Sequence, residues 1–197
     1  MDALTALLTR RSTRNYLPRP VEKEKMDKLL AAARQAPSGG NNQTNHFLVI
    51  QRRDVLDTLA GMVEEAFSRM EVEENTYSSL KHAILASKKG GYVFCYNAPV
   101  LIVVANRHDY GNNMADCACA IENMMVAANA LDLGSCWINQ LRWLNEEPVL
   151  VEYLRSLGMR EYERVYGAVI VGYPATDSGL PNRNMMAQKG NEITYIE

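Results

Sequence analysis

The chain has 197 residues, a formal net charge of −2 and 47% hydrophobic residues. That length fits a single domain able to bury roughly 70% of its unfolded surface without disulfides. The near-neutral balance argues against a broad nucleic-acid or membrane-surface role, so any anion site must be local.

Asp2 is placed to cap a first helix whose Leu4, Leu7 and Leu8 share one face. The following YLPRP cannot be helical, because each proline drives its predecessor, Leu17 or Arg19, into extended geometry. A second helix carries Val21, Met26, Leu29, Leu30 and Ala33 as one stripe and ends near Pro37. Residues 47–50, FLVI, read as a buried strand, and Asp54 as the cap of a helix with Leu56, Leu59, Val63 and Phe67 inward. Residues 68–92 are charged and weakly periodic, and are expected as a peripheral helical excursion. VLIVVA at 100–105 is a strand covered on both faces.

Residues 113–133 are apolar almost all round, with Met114, Ala118, Ile121, Met125 and Ala128 on one side. Such a helix must be buried everywhere, as a central helix or at a subunit interface. CWI at 136–138 is a short strand, preceded by a turn at Gly134 and Ser135. A helix then runs from an Asn145 cap through Leu150, Leu154 and Leu157 to Gly158, and VYGAVIVGY at 165–173 is another buried strand. The extension at 174–197 is rich in Pro, Asn and Gly and ends in the strand-like ITYI. Helices between the strands favour a layered mixed α/β domain. The cysteines at 95, 117, 119 and 136 form no C-x-x-C pair, which points to reduced thiols rather than a metal site. Without a visible signal peptide or membrane-length apolar run, the expectation is a cytoplasmic protein.

Three stretches can carry chemistry. In RRSTR, residues 10–14, extended backbone puts Arg10, Ser12 and Arg14 on one face. Two guanidinium forks around a hydroxyl suit a phosphate, although a solvated patch at a helix C-terminus has the same composition. In APSGGNNQ, residues 36–43, Gly39 and Gly40 let main-chain N–H groups approach a ligand, and Ser38, Asn41, Asn42 and Gln43 add polar groups. An ordinary helix stop is the alternative. In LGSCWIN, residues 133–139, backbone groups can meet a flat ring, while Trp137 and Ile138 also suit a core.

Together these stretches resemble the FMN-dependent nitroreductase family. RRSTR matches its R-R-S-x-R, APSGGNNQTNHF at 36–47 its A-P-S…N-x-Q-P-W-x-F, LDLGSCWI at 131–138 its L-G-x-G-S-C-W-I, and GYP at 172–174 its G-Y-P. The resemblance implies an α+β fold, a mixed sheet flanked by helices, in an intertwined homodimer with FMN at the interface and a long buried interface helix. It implies that Arg10, Ser12 and Arg14 hold the FMN phosphate and ribityl chain, with Arg11 contributing and Arg14 near the N1/O2 edge. Pro37, Ser38, Gly39 and Asn41 would approach the isoalloxazine from the partner subunit. Gly134, Ser135, Cys136 and Trp137 would line the ring, and Arg183 would join the phosphate site.

The implied chemistry is a ping-pong cycle in which NADH or NADPH gives hydride to flavin N5 and an electron-poor acceptor, such as a nitroaromatic or quinone, is then reduced. No side chain need act as nucleophile; His46, His82 and His108 lie in no triad setting. The variable segment, about residues 66–92, would shape the acceptor pocket. Two departures stand out: Thr44-Asn45 replaces the Pro-Trp, and Pro181 replaces a basic residue near the tail arginine. Specialised flavoenzymes of the same fold (dehalogenase, flavin-fragmenting or dehydrogenase types) and a non-catalytic FMN-binding sensor or carrier are the rival readings.

Overall fold

The computed structural model describes residues 1–187 and 189–197. Four strands form one sheet in the order β1-β2-β4-β3, with β1 at His46–Ile50, β2 at Val100–Arg107, β3 at Gly134–Ile138 and β4 at Glu163–Gly172. All three strand pairings are antiparallel, although helices separate the strands in sequence. The expected mixed character is confined to one parallel bridge, between Ser12 and Ser135.

Period-two alternation explains the layering. Val100, Ile102 and Val104 of β2 face one helical layer, formed by α2 (Lys23–Arg34) and α5 (Asn113–Ala130). Leu101, Val103 and Ala105 face the other, formed by α3 (Arg53–Ser68), α4 (Ser78–Lys89), α6 (Gln140–Trp143) and α7 (Pro148–Ser156). Residues 100–105 are thus buried from both sides, as their unbroken apolar run requires.

The structure departs from several local expectations. Asp2 does cap α1 (Ala3–Thr9), its Oδ1 accepting the Thr5 N–H at 3.0 Å, but only Ala6 of that helix is buried. Leu4, Leu7 and Leu8 are 66%, 51% and 55% exposed, so the face they share points away from the body of the chain. The outer side of α5 is likewise open: Cys119 is exposed and Met114 and Ala118 are half-buried. Asp54 lies inside the first turn of α3, where it pairs with Arg52 and favours the helix N-terminus, rather than at the cap. Asn145 is not a cap either; its amide bonds the Val165 backbone at 2.8 and 2.9 Å, while Pro148 starts α7. Gly134 and Ser135 belong to β3 and not to a turn, and ITYI forms no strand. Among the described residues no helix is long and apolar enough to cross a membrane.

Candidate functional site

After α1 the chain turns extended and lies along the free edge of β3, where the Thr13 N–H donates to the Ser135 carbonyl at 2.9 Å. Gly134 makes this approach possible: a Cβ there would sit 2.6–2.8 Å from the Thr13 side chain. Alternation then sorts RRSTR. Ser12 and Arg14 are exposed and Arg10 half-buried, with Arg10 Nε 3.5 Å from Glu122 Oε1. Arg11 turns inward, its Nη1 donating to the Arg10 carbonyl at 3.1 Å while its buried Nη2 has no partner among the described residues. A buried guanidinium nitrogen without an acceptor is costly, so this position suits a ligand oxygen. Beyond it, Tyr16 bridges to Pro174 and donates its hydroxyl to the Thr13 carbonyl at 2.7 Å. Burial raises the Tyr16 phenol first, neighbouring Cys136 and Tyr96 add to this, and Arg14 opposes it.

Along β3, Ser135 is buried and Trp137 half-buried on the α5 side, its Nε1 donating to Asn139 Oδ1 at 2.8 Å. Gly167 of β4 leaves room for Trp137, whose ring atoms lie 3.2–3.3 Å from where a Cβ would be. The Cys136 side chain points into the opposite core, which leaves its backbone for any ligand contact. Arg183 docks the tail near α1 through Asn129, a residue whose role no sequence spacing signalled. Arg183 Nε donates to Asn129 Oδ1 at 3.2 Å and Nη2 to Asp132 Oδ1 at 2.7 Å. Asn129 Nδ2 in turn donates to Ala6 O at 2.9 Å and Thr9 Oγ1 at 3.0 Å. The tail arginine is thereby tied to the helix that leads into Arg10, and its charge sits at the negative end of α5.

The loop after α2 is a 3-10 turn, Gly39–Asn41, with Pro37 and Asn41 exposed and Ser38 and Gly39 half-buried. Gly39 N–H donates to Asp116 Oδ1 at 3.0 Å, and its carbonyl accepts from Tyr110 at 3.0 Å. A Cβ at Gly39 would fall 2.1 Å from Asn112 Nδ2, so this backbone is clamped against the start of α5. Gln43 N–H donates to Ser38 Oγ at 3.0 Å and closes the loop. Asn45, which stands where the resembled motif carries tryptophan, is a polar hub. Its Oδ1 accepts from Asn106 Nδ2 at 2.8 Å and from the Cys117 thiol, and its Nδ2 donates to Asp116 O at 3.0 Å. Burial pushes the Cys117 thiol up to about 12, keeping it a neutral donor. Asp116 and Asn129 went unrecognised in the sequence; the available signal was an acid and an amide inside an otherwise apolar helix.

A family model described as the nitroreductase family matches residues 7–173. The chain belongs to the nitroreductase family. A nitroreductase with bound FMN from Bacteroides fragilis NCTC 9343 has the same fold, with a TM-score of 0.87 and 33% identity over 100% of both chains. An Archaeoglobus fulgidus protein provisionally named NADH dehydrogenase/NAD(P)H nitroreductase is 30% identical over 88% of this chain and 86% of its own. A Bacillus subtilis protein named FMN reductase (NADPH) is 24% identical over 98% of this chain and 74% of its own.

The nitroreductase match spans RRSTR, APSGG and LGSCWI and ends inside GYP, leaving Arg183 beyond it. Within one chain RRSTR and LGSCWI meet along β3, and the APSGG loop does not join them. At about 100° per residue, Asp116 and Asn123 share one side of α5, and Glu122 and Asn129 share another about 120° away. The first pair holds the 36–45 loop and α2, through Gly39 and the Ala32 carbonyl; the second holds Arg10, α1 and Arg183. Helix α5 therefore stands between RRSTR with β3 and the APSGG loop.

Proposed function

We propose that this nitroreductase-family chain is an FMN-dependent NAD(P)H oxidoreductase that acts as a homodimer. The observation that carries the reading is RRSTR laid along β3, with Arg10, Ser12 and Arg14 outward and the buried Arg11 Nη2 lacking an acceptor. The FMN-bound relative at 33% identity supports it independently.

Arg10, Ser12 and Arg14 grip the phosphate and ribityl chain, Arg11 supplies its unpartnered nitrogen, and Arg183 adds charge at the same end. The backbone of Gly134, Ser135 and Cys136, with Trp137, lines one side of the ring. Pro37, Ser38, Gly39 and Asn41 come from the second copy, because α5 separates them from RRSTR of their own chain. The open leucine face of α1 and the open side of α5 supply the surface that a second copy covers. When bound, FMN supplies the redox chemistry, accepting hydride from NADH or NADPH in one half-reaction and reducing an electron-poor acceptor such as a nitroaromatic or quinone in the other. Arg14, beside the ring, stabilises negative charge that builds there.

Purified protein is expected to be yellow, to release FMN on denaturation, and to bleach anaerobically with NADH or NADPH. A bound flavin that neither nicotinamide reduces contradicts the oxidoreductase reading. Replacing Arg10 and Arg14 by alanine removes charge-assisted bonds worth about 3–6 kcal/mol together, or about two to four orders of magnitude in Kd. That variant should fold and lose its colour; stoichiometric FMN in it contradicts the clamp.

A further inference from the structure

The segment YLPRP, residues 16–20, has no part in the flavin reading. Its Arg19 turns to Glu22 and Tyr173, while Pro18, Pro20 and the following Val21 line a cavity of about 330 Å³. Arg53 and Leu56 at the start of α3, and Asn97 and Pro99 just before β2, close it from the other side. No lining residue belongs to RRSTR, to β3 or to the APSGG loop. The size lies in the range of small-molecule pockets, about 300–1,000 Å³. Its apolar wall is aliphatic: three proline rings with the buried Val21 and Leu56. The prolines present carbon and bring no backbone N–H. Pro99 is seated by Gly172, where a Cβ would fall 2.6 Å from its ring.

Arg53 brings the charge. Its Nη2 donates to Asp57 Oδ1 and, at 2.9 Å, to Asn97 Oδ1. Both bonds use one nitrogen, which leaves Nε and Nη1 for a ligand among the described residues. The bond from Arg53 also fixes the Asn97 amide: its oxygen is taken, so Nδ2 is the group it still offers. Gln51, exposed at the end of β1, can turn either amide atom toward the cavity. The fixed polar atoms are therefore all donors, set against an aliphatic wall. A carboxylate satisfies such a donor set with charge-assisted bonds, where a neutral acceptor gains about half as much.

We infer that this cavity is a small-molecule site apart from the flavin region, and that it takes a carboxylate with an aliphatic body. The body lies against Pro18, Pro20, Pro99, Val21 and Leu56. The carboxylate oxygens accept from the free nitrogens of Arg53, with Asn97 Nδ2 as the second donor. The site stands on the cavity and its donors, and does not depend on the oxidoreductase reading.

The test is equilibrium binding of cyclohexylacetate to the purified protein as isolated, at neutral pH, by calorimetry and ligand-observed NMR. Beside it runs 2-cyclohexylethanol, which has the same ring and no charge; neither ring is flat enough to stack on a flavin. Wild type should bind the acid about tenfold more tightly than the alcohol, the effect of one charge-assisted hydrogen bond. Arg53→Met should weaken the acid by about the same factor and leave the alcohol unchanged, and Arg53→Lys should restore part of the loss. Asn97→Asp suits the φ of 55° at that position, keeps the acceptor for Arg53 and puts an anionic oxygen in place of Nδ2. It should weaken the acid at least tenfold, again without effect on the alcohol. Bound-flavin content should match wild type in all three variants. No binding of the acid by wild type, equal affinity for acid and alcohol, or acid binding untouched by Arg53→Met overturns the assignment. Acid binding untouched by Asn97→Asp overturns the role of Asn97 as second donor.

Discussion

Glu22 is exposed, yet its carboxyl is held down to about 2 by the Tyr173 hydroxyl first, then by its own backbone N–H and by Arg19. Tyr173 donates to Glu22 Oε2 at 2.5 Å, and Arg19 sits 3.9 Å over the Tyr173 ring. Because the folded value lies below the ordinary 4.5, the stability gained is present above about pH 4.5 and is lost as pH falls toward 2. The melting temperature of Tyr173→Phe should therefore trail wild type most above that range, with the gap closing on acidification; a gap independent of pH contradicts the linkage. At this scale the outward face of Arg10, Ser12 and Arg14 was legible, since period-two alternation needs only extended backbone. Arg11, Asp116 and Asn129 were not, because their partners lie on other elements and no local spacing encodes a tertiary hydrogen bond.

Among the elements, β2 and β4 were readable because unbroken apolar runs demand cover on both faces. The shared face of Leu4, Leu7 and Leu8 was readable, but its exposure was not, because periodicity reports which residues share a side and not what lies against it. The start of β3 was misread as a turn because Gly134 has two explanations, backbone freedom and close approach, and here the approach of Thr13 decides. Gly134→Val places carbon where Thr13 now packs, at about 1–3 kcal/mol of overpacking. Relief comes by lifting residues 10–14 off the sheet edge. The variant should keep its circular dichroism spectrum and lose FMN; full flavin content would show that RRSTR need not lie on β3.

For the whole molecule, the decisive feature is that α5 separates the two groups of residues proposed to hold FMN. The family and the fold class could be read from the sequence, since four short motifs in order carry them, and the segments of the proposed site are named from the same motifs. Their distribution over two sides of one helix could not, because it depends on how α1, α2 and β3 pack around α5. The shared-site account makes each FMN depend on RRSTR of one copy and the APSGG loop of the other. The direct measurement is the FMN content of mixed dimers co-expressed from two inactive chains. One carries Arg10→Ala with Arg14→Ala; the other carries Gly39→Val, which collides with Asn112 and displaces the loop. Each variant alone should be colourless. In a random mixture half the dimers are mixed and each has one intact site, so about a quarter of all sites should hold FMN. A mixture as colourless as its parents would mean that each chain builds its site alone, and would contradict the account.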